Sequence, residues 1–332
     1  MSAIAVLGAG SYGTALAIQL ARLGSDTRLW GRDAGHMQRL EADRVNAEYL
    51  PGCKFPPSLH PVADLRAAVR GADDVLLAVP SHALHPVLRT VAPMLEPGQG
   101  IASAVKGLEP ETGKLVHEVV QDVVGRERRL AVISGPTFAR EVGLGMPTAV
   151  TVASTDPAYA EHIVHALHGN GFRAYTSDDV IGVEVGGSVK NVLAIAVGIA
   201  DGLGLGANTR AGVITRGLAE IMRLGEALGG RRETFMGLAG LGDLVLTCTD
   251  DQSRNRRFGL ALARGRSVQQ ALADIRQVVE GVRVAPEVLR LARKHGVEMP
   301  ISEQVVQVLA GEITPVDAVR NLATRPPRAE AE

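Results

Sequence analysis

A glycine-rich turn near the start of the chain constrains its fold more than any other feature of the sequence. Residues 3–7 form a short apolar run with β-branched side chains, and Gly8, Gly10 and Gly13 follow it directly. A helical pattern continues from the turn, and residues 27–30 have the pattern of a second strand. Strand, glycine turn, helix and strand together predict a βαβ unit.

Each glycine of this turn has a separate task in a dinucleotide-binding βαβ unit. Gly8 permits the tight turn, Gly10 lets a pyrophosphate approach the backbone, and Gly13 lets the helix pack close to the strand. The helix N-terminus adds free N–H groups and a favourable dipole for phosphates. The turn therefore predicts a dinucleotide site, with a purely structural glycine turn as the alternative.

Strand and helix patterns alternate through the first half of the chain. Further strands are predicted at residues 75–79, 101–105, 130–134, 149–153 and 173–176, and helices at residues 64–70, 84–91 and 114–124. Such alternation is typical of an α/β Rossmann domain with a mainly parallel, doubly wound sheet.

From about residue 180 the strand signals fade and helical spacing dominates. Helices are predicted at residues 185–200, 209–228, 254–263, 282–294 and 303–309. We therefore predict a dinucleotide-binding Rossmann domain over residues 1–178 and an all-α substrate and catalytic domain over residues 179–324. Residues 325–332 are predicted to be a disordered tail.

Composition limits the classes of function. The chain of 332 residues has 35 Lys and Arg against 36 Asp and Glu, a net charge of −1, and this balance argues against a nucleic-acid binder. Cys53 and Cys248 lie far apart and have no zinc-ligand spacing, so we expect no metal and a reducing, cytoplasmic setting. The apolar run at residues 192–200 is far shorter than the ~20 residues of a membrane span. We therefore expect a soluble protein without a membrane span.

Two residues after the second strand bear on the type of dinucleotide. A carboxylate near this strand end binds the ribose 2′-OH of NAD, whereas an arginine accommodates the 2′-phosphate of NADP. Arg32 favours NADP, but Asp33 could serve NAD or cap the following helix. The pair predicts NADP(H) as the preferred cofactor, or dual use of NAD(P)(H).

Lysines at two places are candidates for chemistry. Lys106 follows a predicted strand end, where open α/β sheets bind ligands, although a solvated loop lysine would look the same. Lys190 lies inside the most apolar predicted helix, where a lysine is costly to bury unless it is used. Burial lowers the pKa of a lysine and makes it an acid or base near neutral pH. The alternative is a side chain that extends to solvent from the helix edge.

A polar helix start predicts a phosphate site in the second half of the chain. Ser253 is a natural N-cap, and the free N–H groups of the first turn would act with Arg254 and Asn255. An ordinary charged helix start is the alternative.

Histidines on two predicted helices have spacings that suggest metal ligands. They are His82 with His85, and His162 with His165 and His168. The third member of the longer group drifts off the face of the first, and no carboxylate or thiol cluster accompanies it. We therefore expect these side chains to belong to solvated helix faces.

Four segments together resemble a known family. They are GAGSYGTA at residues 8–15, SGPTFAREV at 134–142, VGGSVKN at 185–191, and LAGLGDLVLT at 238–247 with SRN at 253–255. In this order they resemble the bacterial glycerol-3-phosphate dehydrogenases that use NAD(P)+, and the likeness runs from residue 4 to at least residue 280. The family fold is a Rossmann domain followed by an all-α domain like that of 6-phosphogluconate dehydrogenase.

The resemblance implies a reaction and a role for individual residues. The family reduces dihydroxyacetone phosphate to sn-glycerol 3-phosphate, the phospholipid backbone precursor. Lys190 matches the acid/base that protonates the ketone oxygen, and Lys106 and Asp243 match residues that bind and orient the substrate at the catalytic centre. The implied substrate contacts also include Gly135, Thr137, Asn191, Thr247, Ser253, Arg254 and Asn255. The implied cofactor contacts, besides the three glycines, are Ser11, Tyr12, Arg32, Lys106, Ala139, Arg254, Val278 and Glu280.

Two other functions stay open at this point. A 6-phosphogluconate or 3-hydroxyacid dehydrogenase could use the same scaffold, although residues 253–255 favour a small phosphorylated substrate. An NAD(P)-sensing protein without activity would leave Lys190 unexplained.

No metal is required, because a lysine can supply both the proton and a positive field for the developing alkoxide. The sequence also leaves a homodimer open.

Overall fold

The computed structural model describes residues 2–327 and 329–330. Within these residues, eight strands form one sheet: β1 (Ala3–Leu7), β2 (Asp26–Trp30), β3 (Leu59–Val62), β4 (Asp74–Leu77), β5 (Gly100–Ser103), β6 (Leu130–Ser134), β7 (Thr148–Ala153) and β8 (Phe172–Ser177). Their order across the sheet is β3-β2-β1-β4-β5-β6-β7-β8. The strands from β1 to β6 are parallel, whereas β7 runs antiparallel to β6 and pairs with β8 in parallel.

Helices cover both faces of the sheet. They are α1 (Ser11–Arg22), α2 (Ala34–Asp43), α3 (Leu65–Val69), α4 (Ser81–Val91), α5 (Val116–Val124), α6 (Ala139–Leu144) and α7 (Pro157–Leu167). Successive side chains of β1 enter different cores, because a strand alternates its side chains between the two faces. Ile4 and Val6 pack with α1, whereas Ala5 and Leu7 pack with α4 and α5. The prediction of a mainly parallel, doubly wound sheet is confirmed.

The second half of the described chain is entirely helical. Its helices are α8 (Val180–Gly202), α9 (Gly206–Ala227), α10 (Arg232–Phe235), α11 (Asp243–Thr249), α12 (Arg254–Ala263), α13 (Val268–Ile275), α14 (Glu280–Lys294), α15 (Pro300–Ala310) and α16 (Pro315–Ala323). A π-helical turn, Leu238–Gly242, leads directly into α11. The predicted all-α architecture is confirmed.

The central helix of this half, α8, is apolar on every side because other helices surround it. It packs against α9, α11, α12 and α14. The crossing with α12 is close, since a Cβ on Gly198 would meet the Arg256 carbonyl group and a Cβ on Gly259 would meet that of Ile195. Among the described residues, α8 alone is long and apolar enough to cross a membrane, and 89% of its most apolar window is buried inside the protein. Packing therefore accounts for its apolar character.

Some elements differ from those predicted. The edge strand β3 was not predicted, since its sequence contains His60 and Pro61 in place of an apolar run, and a proline is tolerated at a sheet edge. Helix α2 was missed because few of its side chains are buried. The predicted tail, 325–332, includes Arg328, Ala331 and Glu332, which lie outside the described residues.

Candidate active site

The glycine turn between β1 and α1 has the geometry of a phosphate cradle. Gly8 has φ +126°, and a Cβ there would meet the carbonyl oxygen of Ala78. A Cβ on Gly13 would meet the carbonyl oxygen of Gly8, so helix and strand approach as predicted. No described atom lies within 4 Å of a Cβ built on Gly10, which is the N-cap of α1 and has no capping side chain. The space at Gly10 beside the N-terminus of α1 is therefore open, which fits the approach of a pyrophosphate.

Asp33, one of the two residues after β2, is a helix cap. Its Oδ1 accepts a hydrogen bond of 2.8 Å from the His36 amide, and it is the N-cap of α2. This backbone bond lowers the pKa of Asp33 below its usual value. Arg32 and Asp33 are both exposed. One carboxylate oxygen of Asp33 is engaged by the cap. The arrangement therefore favours Arg32 as the residue that would contact the 2′-phosphate on the ribose of a dinucleotide.

A carboxylate joins the two candidate lysines. Asp243, the first residue of α11, is 1% exposed. Its Oδ1 accepts a hydrogen bond of 2.5 Å from Lys190 Nζ, and its Oδ2 accepts one of 2.9 Å from Lys106 Nζ. The three residues predicted to form the catalytic centre thus lie in direct contact. They come from the loop after β5, from the middle of α8 and from the start of α11.

Lys106 is held by three acceptors. Besides Asp243, its Nζ donates to the Gly135 carbonyl oxygen at 2.9 Å and to Thr137 Oγ1 at 3.3 Å. Burial opposes the charge of this lysine, but the Asp243 carboxylate outweighs burial and raises the pKa of Lys106 above its ordinary value. Lys106 is therefore a cation at neutral pH, and its position couples the strand ends of β5 and β6.

Lys190 is buried deep in α8, as predicted, and does not reach solvent from the helix edge. Its side chain is 7% exposed, and besides Asp243 its Nζ donates to Thr247 Oγ1 at 2.9 Å. Burial, together with the charge of Lys106, lowers the pKa of Lys190 to about 8 against the opposing effect of the Asp243 carboxylate. Among the described residues, no third acceptor bonds its Nζ, so one N–H is left for a ligand.

Two asparagines brace this cluster. Asn191 Nδ2 donates to the Lys106 carbonyl oxygen at 3.2 Å, and Asn191 Oδ1 accepts from Asn255 Nδ2 at 2.8 Å. Asn255 Oδ1 in turn accepts from the Gly281 amide at 2.9 Å. These side chains were predicted to contact substrate. In this structure they link the backbones of the loop after β5 and of α14, and a substrate role stays a prediction.

The predicted phosphate site lies at the start of α12. Ser253 is the N-cap, and its Oγ accepts from the Arg256 amide at 3.2 Å, so the predicted cap is confirmed. Arg254 is half-buried. Burial lowers the pKa of Arg254, and the neighbouring Glu280 carboxylate opposes this effect. The first turn of α12 contains no acidic residue, which leaves it suited to an anion.

Ser81 is a residue that the sequence analysis missed. Its Oγ donates to Glu280 Oε2 at 2.9 Å, which connects the start of α4 with the start of α14. Burial raises the pKa of Glu280, against the lowering effect of the Ser81 bonds. The only sequence signal for Ser81 is its position just after a strand end. The other predicted cofactor contacts, Ser11, Ala139 and Val278, are half-buried and lie at or next to helix starts.

His162 and His85 contact carboxylates, whereas His82 Nδ1 is buried without a hydrogen-bond partner among the described residues. The His162 side chain is 41% exposed, in line with the expected solvated face, but its Nε2 also lies 2.6 Å from Oδ2 of the buried Asp74, a contact that was not predicted. The contact forms because the buried carboxylate of Asp74, at the start of β4, requires hydrogen-bond donors. The helix periodicity does not reveal this requirement. His85 Nδ1 lies 2.6 Å from Glu109 Oε1. Within the described part of the chain, no group of three or more His, Cys, Asp or Glu could hold a metal ion.

Two family models match the chain in order. The model described as the N-terminus of NAD-dependent glycerol-3-phosphate dehydrogenase matches residues 3–160, and the model for its C-terminus matches residues 179–320. Together they cover most of the chain, including every residue of the lysine–carboxylate cluster.

Individual relatives agree with the family models. The chain is 55% identical to the NAD(P)+-dependent glycerol-3-phosphate dehydrogenase of Xanthomonas euvesicatoria pv. vesicatoria, over 97% of this chain and 94% of the relative. It is 57% identical to that of Photobacterium profundum, over 96% and 95%. The crystal structure of glycerol-3-phosphate dehydrogenase from Coxiella burnetii superposes with a TM-score of 0.95 at 49% identity, covering 98% of this chain and 99% of that chain.

Replacing Arg32 tests its role in dinucleotide selection. We expect Arg32→Ala to weaken NADPH binding roughly 5- to 30-fold, because the planar guanidinium suits a phosphate but lies in a screened, exposed place. NADH binding should hardly change, since NADH has no 2′-phosphate. Fluorescence titration of both dinucleotides measures the ratio, and Arg39→Ala, an exposed arginine on α2, is the matched control. Tighter binding of NADH than NADPH by the unmodified protein would contradict the predicted preference.

Proposed function

This chain belongs to the NAD-dependent glycerol-3-phosphate dehydrogenase family, and we propose that it reduces dihydroxyacetone phosphate to sn-glycerol 3-phosphate with NAD(P)H. The observation that carries the proposal is the pair of buried lysines that share the two oxygens of Asp243. In the reaction, a hydride adds to the ketone carbon and a proton adds to its oxygen. A buried ammonium group beside the oxygen can supply that proton and stabilise the charge that develops there.

The residues of the turn fit a dinucleotide. The uncapped N-terminus of α1 and the open space at Gly10 would hold the pyrophosphate, and Arg32 would meet a 2′-phosphate. When bound, the nicotinamide supplies the hydride. Arg32, beside an Asp33 that is engaged as the cap of α2, supports a preference for NADP(H) with use of both dinucleotides.

We assign the proton transfer to Lys190. A pKa of about 8 keeps the lysine charged at neutral pH, yet it makes the ammonium a better acid than an ordinary lysine. Asp243 Oδ1 and Thr247 Oγ1 fix Nζ from two sides, so its remaining N–H has a defined direction. In the reverse direction the neutral amine would accept the proton from the alcohol.

Lys106 and Asp243 organise the site around Lys190. Asp243 stabilises both cations, and Lys106 holds the far oxygen of the carboxylate while it also bonds the loop after β6. A substrate oxygen near Lys106 would be attracted by a charge whose position these acceptors and Thr137 fix. We propose Gly135 and Thr137, which both accept from Lys106 Nζ, as substrate neighbours on the Rossmann side.

The start of α12 supports a phosphorylated substrate. Arg254 and the N–H groups after the Ser253 cap form a cationic place for a phosphate that does not take part in the chemistry. Binding energy from this remote group can orient the carbonyl at Lys190. An unphosphorylated hydroxyacid would leave the half-buried Arg254 without an anionic ligand, which makes that alternative less favourable.

The setting of the enzyme is also part of the proposal. We place it in the cytoplasm, where reduced thiols persist; the free cysteines Cys53 and Cys248 are both buried and are compatible with this compartment. A homodimer is a further proposal, which sedimentation of the purified protein would test.

Lys190→Met tests the acid/base assignment. Methionine suits an apolar helix interior, so the variant should fold, whereas the proton donor is lost. We expect kcat for dihydroxyacetone phosphate reduction to fall by about 10²–10⁴ with NADPH binding little changed. Lys294→Met, which alters an exposed lysine of α14, should keep normal turnover. Near-normal kcat in a folded Lys190→Met protein would rule out this role.

Arg254→Ala tests the phosphate site. Charge-assisted hydrogen bonds to a phosphate are worth ~1.5–3 kcal/mol, so kcat/KM for dihydroxyacetone phosphate should fall roughly 10- to 150-fold. Unphosphorylated dihydroxyacetone never makes these bonds, and its slow reduction should change little. Arg257→Ala, at an exposed place on the same helix, is the control for general effects on α12. Equal losses for both substrates would mean that Arg254 acts elsewhere.

A further inference from the structure

We propose that Tyr12 is a positioning residue that couples the dinucleotide turn to the substrate lysine Lys106. This inference rests on the function proposed above and concerns the same site. Tyr12 is the second residue of α1 and lies between Gly10 and Gly13 of the turn. Its side chain makes two contacts away from the turn, and both lead to Lys106.

The first contact is through the ring. Lys106 Nζ lies over the Tyr12 ring, 5.3 Å from its centre, which is a favourable distance for a cation–π interaction. The charge of Lys106 is thus held from one side by the Asp243 carboxylate and from another by an aromatic face. Displacement of the ring would remove one of these two supports.

The second contact is through the hydroxyl group. Thr137 Oγ1 lies 3.0 Å from Tyr12 Oη and 3.1 Å from the Gly135 carbonyl oxygen. Because the threonine hydroxyl has a single proton, it can donate to only one of these two oxygens at a time. The same Oγ1 accepts the hydrogen bond of 3.3 Å from Lys106 Nζ. Tyr12 therefore helps to decide where the proton of Thr137 points and how well Thr137 accepts from Lys106.

The two contacts of Tyr12 couple the dinucleotide turn, where Tyr12 lies, to Lys106 and Thr137. A dinucleotide at the turn would restrict Tyr12, and Tyr12 would then hold Thr137 and Lys106 in the arrangement that bonds Asp243. All three N–H groups of Lys106 are engaged by Asp243, Gly135 and Thr137. If Lys106 loses its hydrogen bond to Thr137, its side chain can shift. This shift should weaken substrate binding more than it slows the proton transfer by Lys190.

Two variants separate the contributions of the hydroxyl and the ring. Tyr12→Phe keeps the ring, and we expect it to raise KM for dihydroxyacetone phosphate roughly 2- to 10-fold, the value of a typical hydrogen bond. Tyr12→Leu also removes the aromatic face and should raise this KM roughly 5- to 30-fold. In both variants kcat should fall by a clearly smaller factor than that by which KM rises. Tyr175→Phe, at an exposed tyrosine of β8, is the matched control.

Calorimetry measures how much NADP+ tightens the binding of dihydroxyacetone phosphate. A merely structural role of Tyr12 would leave this tightening unchanged. NADP+ and dihydroxyacetone phosphate are both oxidised, so they can be bound together without reacting. We expect NADP+ to tighten the binding of dihydroxyacetone phosphate in the unmodified protein, and this tightening should shrink in Tyr12→Phe and nearly vanish in Tyr12→Leu. Binding of NADP+ alone should weaken by a smaller factor than the NADP+-dependent tightening is reduced.

The outcomes separate this inference from the proposed function. If the unmodified protein does not reduce dihydroxyacetone phosphate, the proposed function fails first. If it does, unchanged KM and unchanged tightening in Tyr12→Leu would overturn the role of Tyr12. A loss confined to the binding of NADP+ or NADPH alone would also overturn it, because Tyr12 would then be only a dinucleotide contact.

Discussion

The structure depends on one buried carboxylate that holds two buried ammonium groups. Asp243 accepts from Lys190 on one oxygen and from Lys106 on the other, and all three groups are largely shielded from water. Without the carboxylate, two like charges would face each other in a low-dielectric interior. Removal of one partner from a buried ion pair typically costs about 3–5 kcal/mol. The cluster therefore favours the single arrangement of β5, α8 and α11 that brings its members together.

This arrangement also explains why the two lysines differ. Both are buried and both bond Asp243, but Lys106 has the Tyr12 ring and three acceptors around its charge, whereas Lys190 has two acceptors and lies deeper. The pKa of Lys106 is raised, and burial brings that of Lys190 down to about 8. One lysine is thereby suited to hold charge and the other to exchange a proton. Such divergence of neighbouring groups is typical of acid/base sites.

Much of this could be predicted from the sequence, because local patterns carry it. The glycine turn, the alternation of strands and helices, the burial of Lys190 and the Ser253 cap all depend on neighbours within a few residues. The contact from Lys106 to Asp243 spans 137 residues, and no periodicity indicates that one carboxylate serves both lysines. From the sequence, Asp33 could be a cap or a ribose ligand, and only the folded structure brings the His36 amide to its Oδ1. The contact of His162 with Asp74 likewise depends on tertiary packing.

The pH dependence of catalysis tests the central claim most directly. A lysine donates a proton only below its pKa, so kcat/KM for dihydroxyacetone phosphate reduction should be level near neutral pH and fall above about pH 8. The decline should approach roughly tenfold per pH unit, as one lost proton requires. In Asp243→Asn the remaining activity should fall from a lower pH, because the carboxylate that raises the pKa of Lys190 is gone. A profile that stays level to pH 10, or the same falling limb in Asp243→Asn, would contradict this account.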